Sequence, residues 1–196
     1  MIKSKSNKFH KPLYLLYPGE YYATREDSVL GTVTGLCVVV CFFDISRGIG
    51  GMGHFIVPGS MGTEGLFADE IASHGITNME YLLGEIVKLG GDRKFLHAKI
   101  FGAGYPEVDS KKAMALSEGN IRFIQEYFAA ENIVIDRIDL GGNFRRRLYF
   151  FPKDGNVYRK ILKNNEEASE FVRMEKDYID RELVNKEKSG KIVLFQ

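Results

Sequence analysis

The chain has 196 residues, 44% of them hydrophobic, enough for one domain with a sizeable core. Its 27 Lys+Arg balance 26 Asp+Glu, for a formal net charge of +1, which argues against a nucleic-acid binder. Two cysteines do not make a disulfide framework, and no apolar run is long enough to span a bilayer.

Residues Met1 to Lys11 are polar and basic with no apolar core behind them. They read as a loose terminus (residues 1–12) and not as an export signal, so a reduced, cytoplasmic setting is expected. Leu13 to Tyr17 predicts a short strand, ended by Pro18-Gly19. Glu20 to Thr24 predicts another extended piece, with a polar loop, Arg25 to Ser28, behind it. Val29 to Thr34 is β-branched and extended, and Gly35 breaks it just before Cys37. Val38 to Phe43 is nearly all apolar. It fits a strand buried on both faces, although so short a run also fits a brief helix. The stretch GIGGMG, Gly48 to Gly53, reads as a glycine-rich turn that delivers His54 to a further strand, HFIVP.

A glycine-bearing loop, Ser60 to Gly65, and a short helix, Leu66 to Ser73, are expected next. Thr77 and Glu80 have the spacing of a capping box. Met79, Leu82, Leu83, Ile86 and Val87 then share one face of an amphipathic helix ending at Gly90-Gly91. Phe95 to Phe101 predicts a strand. Ser117 or Asn120 is the expected cap of a second helix, with Ile121, Ile124 and Phe128 on its buried face. Ile133 to Leu140 predicts a strand. Arg147 to Phe151 and Val157 to Leu162 predict a hairpin around Lys153-Asp154-Gly155-Asn156. The short run Arg145-Arg146-Arg147 reads as local ion pairing within a strand. Asn164 to Lys188 is charged, with Phe171, Val172, Tyr178, Ile179 and Leu183 at helical spacing, and predicts one long surface helix. A short apolar end, Ile192 to Phe195, follows. The whole predicts an α+β fold with mixed or mostly antiparallel sheet over residues 13–163, and a helical extension over 164–196.

Cys37 and His54 are the candidates for chemistry. A cysteine attacks a carbonyl as its thiolate, and a free thiol is mostly protonated near neutral pH. A histidine within reach takes that proton and later passes it to a leaving amine. The competing reading of Cys37 is a small buried hydrophobe, and of His54 a strand-edge histidine bonded to backbone. Cys41 reads as core, His10 as part of a loose terminus, His74 as a loop residue and His97 as structural. A zinc site from Cys37, Cys41 and two histidines has only a weak Cys-x3-Cys signal, so no metal and no cofactor are expected. GIGGMG is not a dinucleotide fingerprint, because no helix is predicted to follow it.

At these residues the sequence resembles the CheD family of chemoreceptor glutamine deamidases. TVTGLCVVVCFFD and GGMGHFIVP match the family's TVLGSCV segment, apolar strand, acidic turn and GGMxHFLLP segment. YPGEYYAT, KIFGAG, EGNIRF and DLGGNFRRRLYFFPKDGNVYRK resemble further family segments in the right order, from about Leu13 to Leu162. By this resemblance Cys37 is the nucleophile and His54 its base, 17 positions apart (54 − 37). The family's third catalytic residue is a threonine shortly before the cysteine. Thr32 is the equivalent, and Thr34, on the same strand face, competes with it. Leu36 stands where the family usually has Ser, and Gly53 where it often has Asn.

The resemblance implies a three-layer α/β/β arrangement, sheet packed on sheet and flanked by helices. It implies hydrolysis of glutamine side chains on methyl-accepting chemotaxis receptors, with glutamyl methyl esters as a possible side substrate. Backbone N–H groups at Cys37 or Leu36 are the expected oxyanion donors. It also implies a second possible partner, a CheC-type phosphatase, for which this chain would act chiefly as a binding regulator. No nucleic acid and no membrane insertion are expected.

Overall fold

The structure is a computed structural model that describes residues 1–57, 70–106, 111–162 and 168–189. The expected loop Ser60 to Gly65, the first part of the expected helix Leu66 to Ser73, and the apolar end Ile192 to Phe195 lie outside the described residues.

Two five-stranded sheets form the frame. The strands are β1 (Ile2–Lys5), β2 (Pro12–Leu15), β3 (Tyr21–Thr24), β4 (Val29–Thr34), β5 (Val38–Asp44), β6 (Ile49–Phe55), β7 (His97–Gly102), β8 (Val134–Leu140), β9 (Arg145–Phe151) and β10 (Asn156–Leu162). One sheet has the order β1-β2-β4-β9-β10 and the other β3-β6-β5-β7-β8. Pairing is antiparallel except between β2 and β4 and between β7 and β8. Among the described residues three α-helices join them: α1 (Glu70–Lys88), α2 (Lys111–Glu131) and α3 (Ser169–Ser189). None of the described helices is long and apolar enough to cross a membrane.

β5 explains the layering. All seven of its residues are buried, as its unbroken apolar sequence predicts. Val38, Val40 and Phe42 face α1 and α2, packing with Leu82, Ile86, Phe123 and Phe128. Val39, Cys41 and Phe43 face the other sheet, packing with Leu30, Leu148 and Phe150. Successive side chains point to opposite faces of a strand, so one strand serves two cores. Each large apolar side chain so buried stabilises the fold by about 1.5–3 kcal/mol. The result is the expected α+β arrangement of helices, sheet and sheet.

Four sequence expectations are corrected. The glycine-rich stretch is strand β6 itself, not a turn. The reversal comes earlier, at residues 45–48, where the buried Asp44 accepts from the Arg47 backbone N–H and side chain and Gly48 takes φ +62°. Glycine is required inside β6 because a Cβ on Gly51 would sit 2.6 Å from Leu82 and 2.8 Å from the Tyr22 carbonyl. Thr77 and Glu80 lie within α1, so they do not cap it. Ser117 and Asn120 lie within α2, where both are buried. Asn120 instead clips the end of the β6 segment, accepting from the Val57 N–H at 2.8 Å and donating to its carbonyl at 3.1 Å. Finally, the N-terminal segment carries an edge strand, β1, paired antiparallel with β2.

Candidate active site

Cys37 follows β4 and directly precedes β5, and its backbone is fastened on several sides. Thr34 Oγ1 donates to the Cys37 carbonyl at 2.7 Å, and the Ala103 N–H donates to the same oxygen at 2.9 Å. Gly102 approaches so closely, at φ +106°, that a Cβ there would lie 2.1 Å from that carbonyl. His54 sits on β6 opposite Val39 of β5, so hairpin register brings the imidazole back to the Cys37 end of the sheet. The Pro18-Gly19-Glu20 turn holds its backbone: the Gly19 N–H donates to the His54 carbonyl at 2.7 Å, and the His54 N–H to the Glu20 carbonyl at 3.0 Å.

Both side chains are fully buried. Thr32 Oγ1 lies 2.9 Å from His54 Nδ1 and 2.7 Å from the Leu16 carbonyl, to which it donates. The hydroxyl has one proton, so toward the imidazole it accepts, which places the ring proton on Nδ1. Nε2 is then the basic nitrogen, and it is buried with no hydrogen-bond partner among the described residues. Burial lowers the His54 pKa to about 3, so the ring is neutral. Burial first, and then the neighbouring Glu175 carboxylate, push the Cys37 thiol well above its usual value.

Glu175, on α3, is the residue that sequence reasoning missed. It is buried, although α3 was expected to be a surface helix. Its Oε1 accepts from the N–H of Gly35 at 2.8 Å and of Cys37 at 3.0 Å, and its Oε2 from the Arg145 side chain. Cys37 Sγ, a ring nitrogen of His54 and a Glu175 oxygen lie within 4.8 Å of one another. These three donors differ from the zinc set weighed from sequence. The carboxylate accepts from three protein donors. The signal for Glu175 is an acid in the middle of the apolar stripe formed by Phe171, Val172, Tyr178 and Ile179.

The remaining candidates separate from this group. Cys41 points to the sheet–sheet core, and burial raises its pKa strongly. His97 pairs with Asp136 at 2.7 Å. The side chain of His74 lies outside the described residues. Arg146 is buried and pairs with Asp139 at 2.9 Å, and Arg145 pairs with Glu175 of α3. The backbone N–H groups of Cys37 and Gly35 both donate to Glu175 Oε1.

A family model described as CheD chemotactic sensory transduction matches residues 57–161, a span that begins after Cys37 and His54. Curated relatives extend the match. The probable chemoreceptor glutamine deamidase CheD of Methylobacillus flagellatus is 38% identical over 181 residues, 92% of this chain and 88% of that protein. That of Herminiimonas arsenicoxydans is 36% identical over 189 residues, 95% of this chain and 91% of that protein. That of Paraburkholderia xenovorans is 39% identical over 162 residues, 83% of this chain but only 64% of the longer relative.

Proposed function

The chain belongs to the CheD family, and from that premise we propose that it is a protein-glutamine deamidase acting on chemotaxis receptors. The observation that supports the mechanism is the Thr32–His54 contact beside Cys37, because it leaves Nε2 as the basic ring nitrogen. Thr32 orients the ring. His54 Nε2 takes the proton of the Cys37 thiol as Sγ attacks the carboxamide carbon of the substrate glutamine. The oxyanion that forms needs preorganised donors, and the N–H groups of Cys37 and Gly35 converge on one point beside the thiol. His54 then gives its proton to the departing ammonia, leaving a thioester. Water, deprotonated by His54, attacks the thioester, releases glutamate and restores the thiol.

Mass spectrometry of a receptor cytoplasmic fragment tests this. Wild-type protein is expected to convert specific glutamines to glutamates, and Cys37→Ala to convert none. Unmodified glutamines with an intact, folded wild-type protein across several cognate receptors would overturn it.

The second reading, a regulator bound to a CheC-type phosphatase, draws on two observations. Leu36 and Gly53 replace the usual neighbours of the catalytic pair, and the thiol is protonated and covered. Retention of phosphatase binding and stimulation by Cys37→Ala, with no receptor deamidation by either protein, would favour it.

A further inference from the structure

α3 is highly charged, yet one of its acids is buried against the nucleophile. The carboxylate of Glu175 occupies the two backbone donors beside Cys37, within 4.8 Å of both the thiol sulfur and a ring nitrogen of His54. The seat around it is shaped for this. A Cβ on Gly35 would stand 2.3 Å from the Arg145 guanidinium and 2.9 Å from Glu175, so a larger residue there would push the pair aside. Gly19, at φ +87°, leaves room for Tyr178 on the same helix, where a Cβ would stand 2.8 Å from the ring. Leu36, Ile56 and Leu116 pack around Tyr178, with Ile179 and Leu183 against them.

A deamidase makes a glutamate side chain at this point, held by the oxyanion donors and next to the sulfur that released it. Glu175 is a glutamate side chain at that point. We propose that α3 is a tethered product mimic that closes the active site, and that the substrate segment enters by displacing α3 and setting its glutamine where the Glu175 carboxylate lies. The identification of the carboxylate as product rests on the deamidase reading; the closure itself does not.

The chemistry of the seat agrees with a closed state. A carboxylate beside a thiol opposes thiolate formation, and the thiol is held protonated. Arg145 pairs with the second oxygen of the same carboxylate, which holds α3 in the seat.

The test uses the full chain with Glu175→Gln. This variant places an amide in the seat, where Cys37 Sγ can attack its side-chain carbon, expel ammonia and form a thioester that water opens to glutamate. Peptide mass spectrometry over time is expected to show position 175 returning to glutamate, at a rate independent of protein concentration. The double variant Cys37→Ala, Glu175→Gln is expected to keep its glutamine. Persistence of the introduced glutamine in a preparation that deamidates a receptor fragment would overturn the proposal, since an active site would then be ignoring its own helix.

Iodoacetamide trapping of Cys37 separates this from the deamidase reading. Glu175→Ala and Ile179→Asp, which loosen α3 at different points, are expected to speed trapping roughly tenfold or more, the size of a one-decade shift in opening. Faster trapping, with neither the introduced glutamine nor the receptor converted, would sustain the closure and overturn the deamidase. Unchanged trapping in both variants would overturn the closure.

Discussion

Thr32 and His54 share one hydrogen bond, 2.9 Å long, in which the hydroxyl accepts because its own proton is committed to the Leu16 carbonyl. The bond sets the imidazole tautomer without a carboxylate. Thr32→Val keeps the shape and removes the acceptor, so kcat on a receptor fragment is expected to fall on the order of 10²-fold with little change in KM. Thr32→Ser is expected to recover most of it. Equal losses in the Val and Ser variants would show that the hydroxyl alone does not account for the effect and that packing of the whole side chain matters.

Thr34 is on the same strand face and has a different task, holding the Cys37 carbonyl. Gly102 shares that task by staying out of the way. Gly102→Ala drives a Cβ into the carbonyl and strains a left-handed backbone, at a cost of about 1–3 kcal/mol. A lower urea midpoint together with a large loss of deamidation is the expected result. A fully active Gly102→Ala protein would mean that the nucleophile's backbone tolerates displacement.

Cys41 gives the contrasting case. It fills the sheet–sheet core, away from the site, and Cys41→Ala is expected to cost about 1–2 kcal/mol in unfolding free energy. Receptor deamidation is expected to stay near wild type. Loss of activity without loss of stability would place Cys41 in the chemistry.

Folding is linked to pH through His54. Its pKa is about 3 in the folded protein, against an ordinary 6.5 in the unfolded chain. Between these values the unfolded chain binds more protons, so stability falls as pH drops. The contribution is complete above the unfolded value and is lost progressively toward the folded one, on the order of a few kcal/mol in all. Urea midpoints are expected to fall more steeply with acid in wild type than in His54→Gln. Parallel curves would mean that the imidazole becomes charged without unfolding the protein.

Much of this was legible in the sequence, for identifiable reasons. β4 and β5 announce themselves because a β-branched run and an unbroken apolar run have few alternatives once both faces are buried. Cys37, His54 and Thr32 stand out as candidates through their flanking segments, and hairpin register brings the histidine back to the cysteine. β6 was misread because glycine signals a turn, whereas here it clears space for Leu82 and for backbone. Ser117 and Asn120 carry the composition of a helix cap, but they satisfy backbone groups of distant segments. Such use leaves no local pattern. Glu175 was missed for a similar reason: its partners Gly35 and Arg145 are 140 and 30 positions away, and a charged helix ordinarily faces water.

The placement of β5 has one more consequence. The strand that follows Cys37 is central in its sheet, with a core on each face, so its amides belong to the part of the protein that opens only by global unfolding. Among the described residues, α3 packs over the thiol, with Leu36, Ile56 and Leu116 beside it. Hydrogen exchange on β5 and covalent labelling of Cys37 therefore report different events. The sulfur becomes reactive in a molecule whose sheet is still fully protected, and mild denaturant will hasten the label before it costs the strand its protection. Access to the nucleophile and persistence of the fold are thereby placed under separate control, and α3 can be retuned without loosening the scaffold.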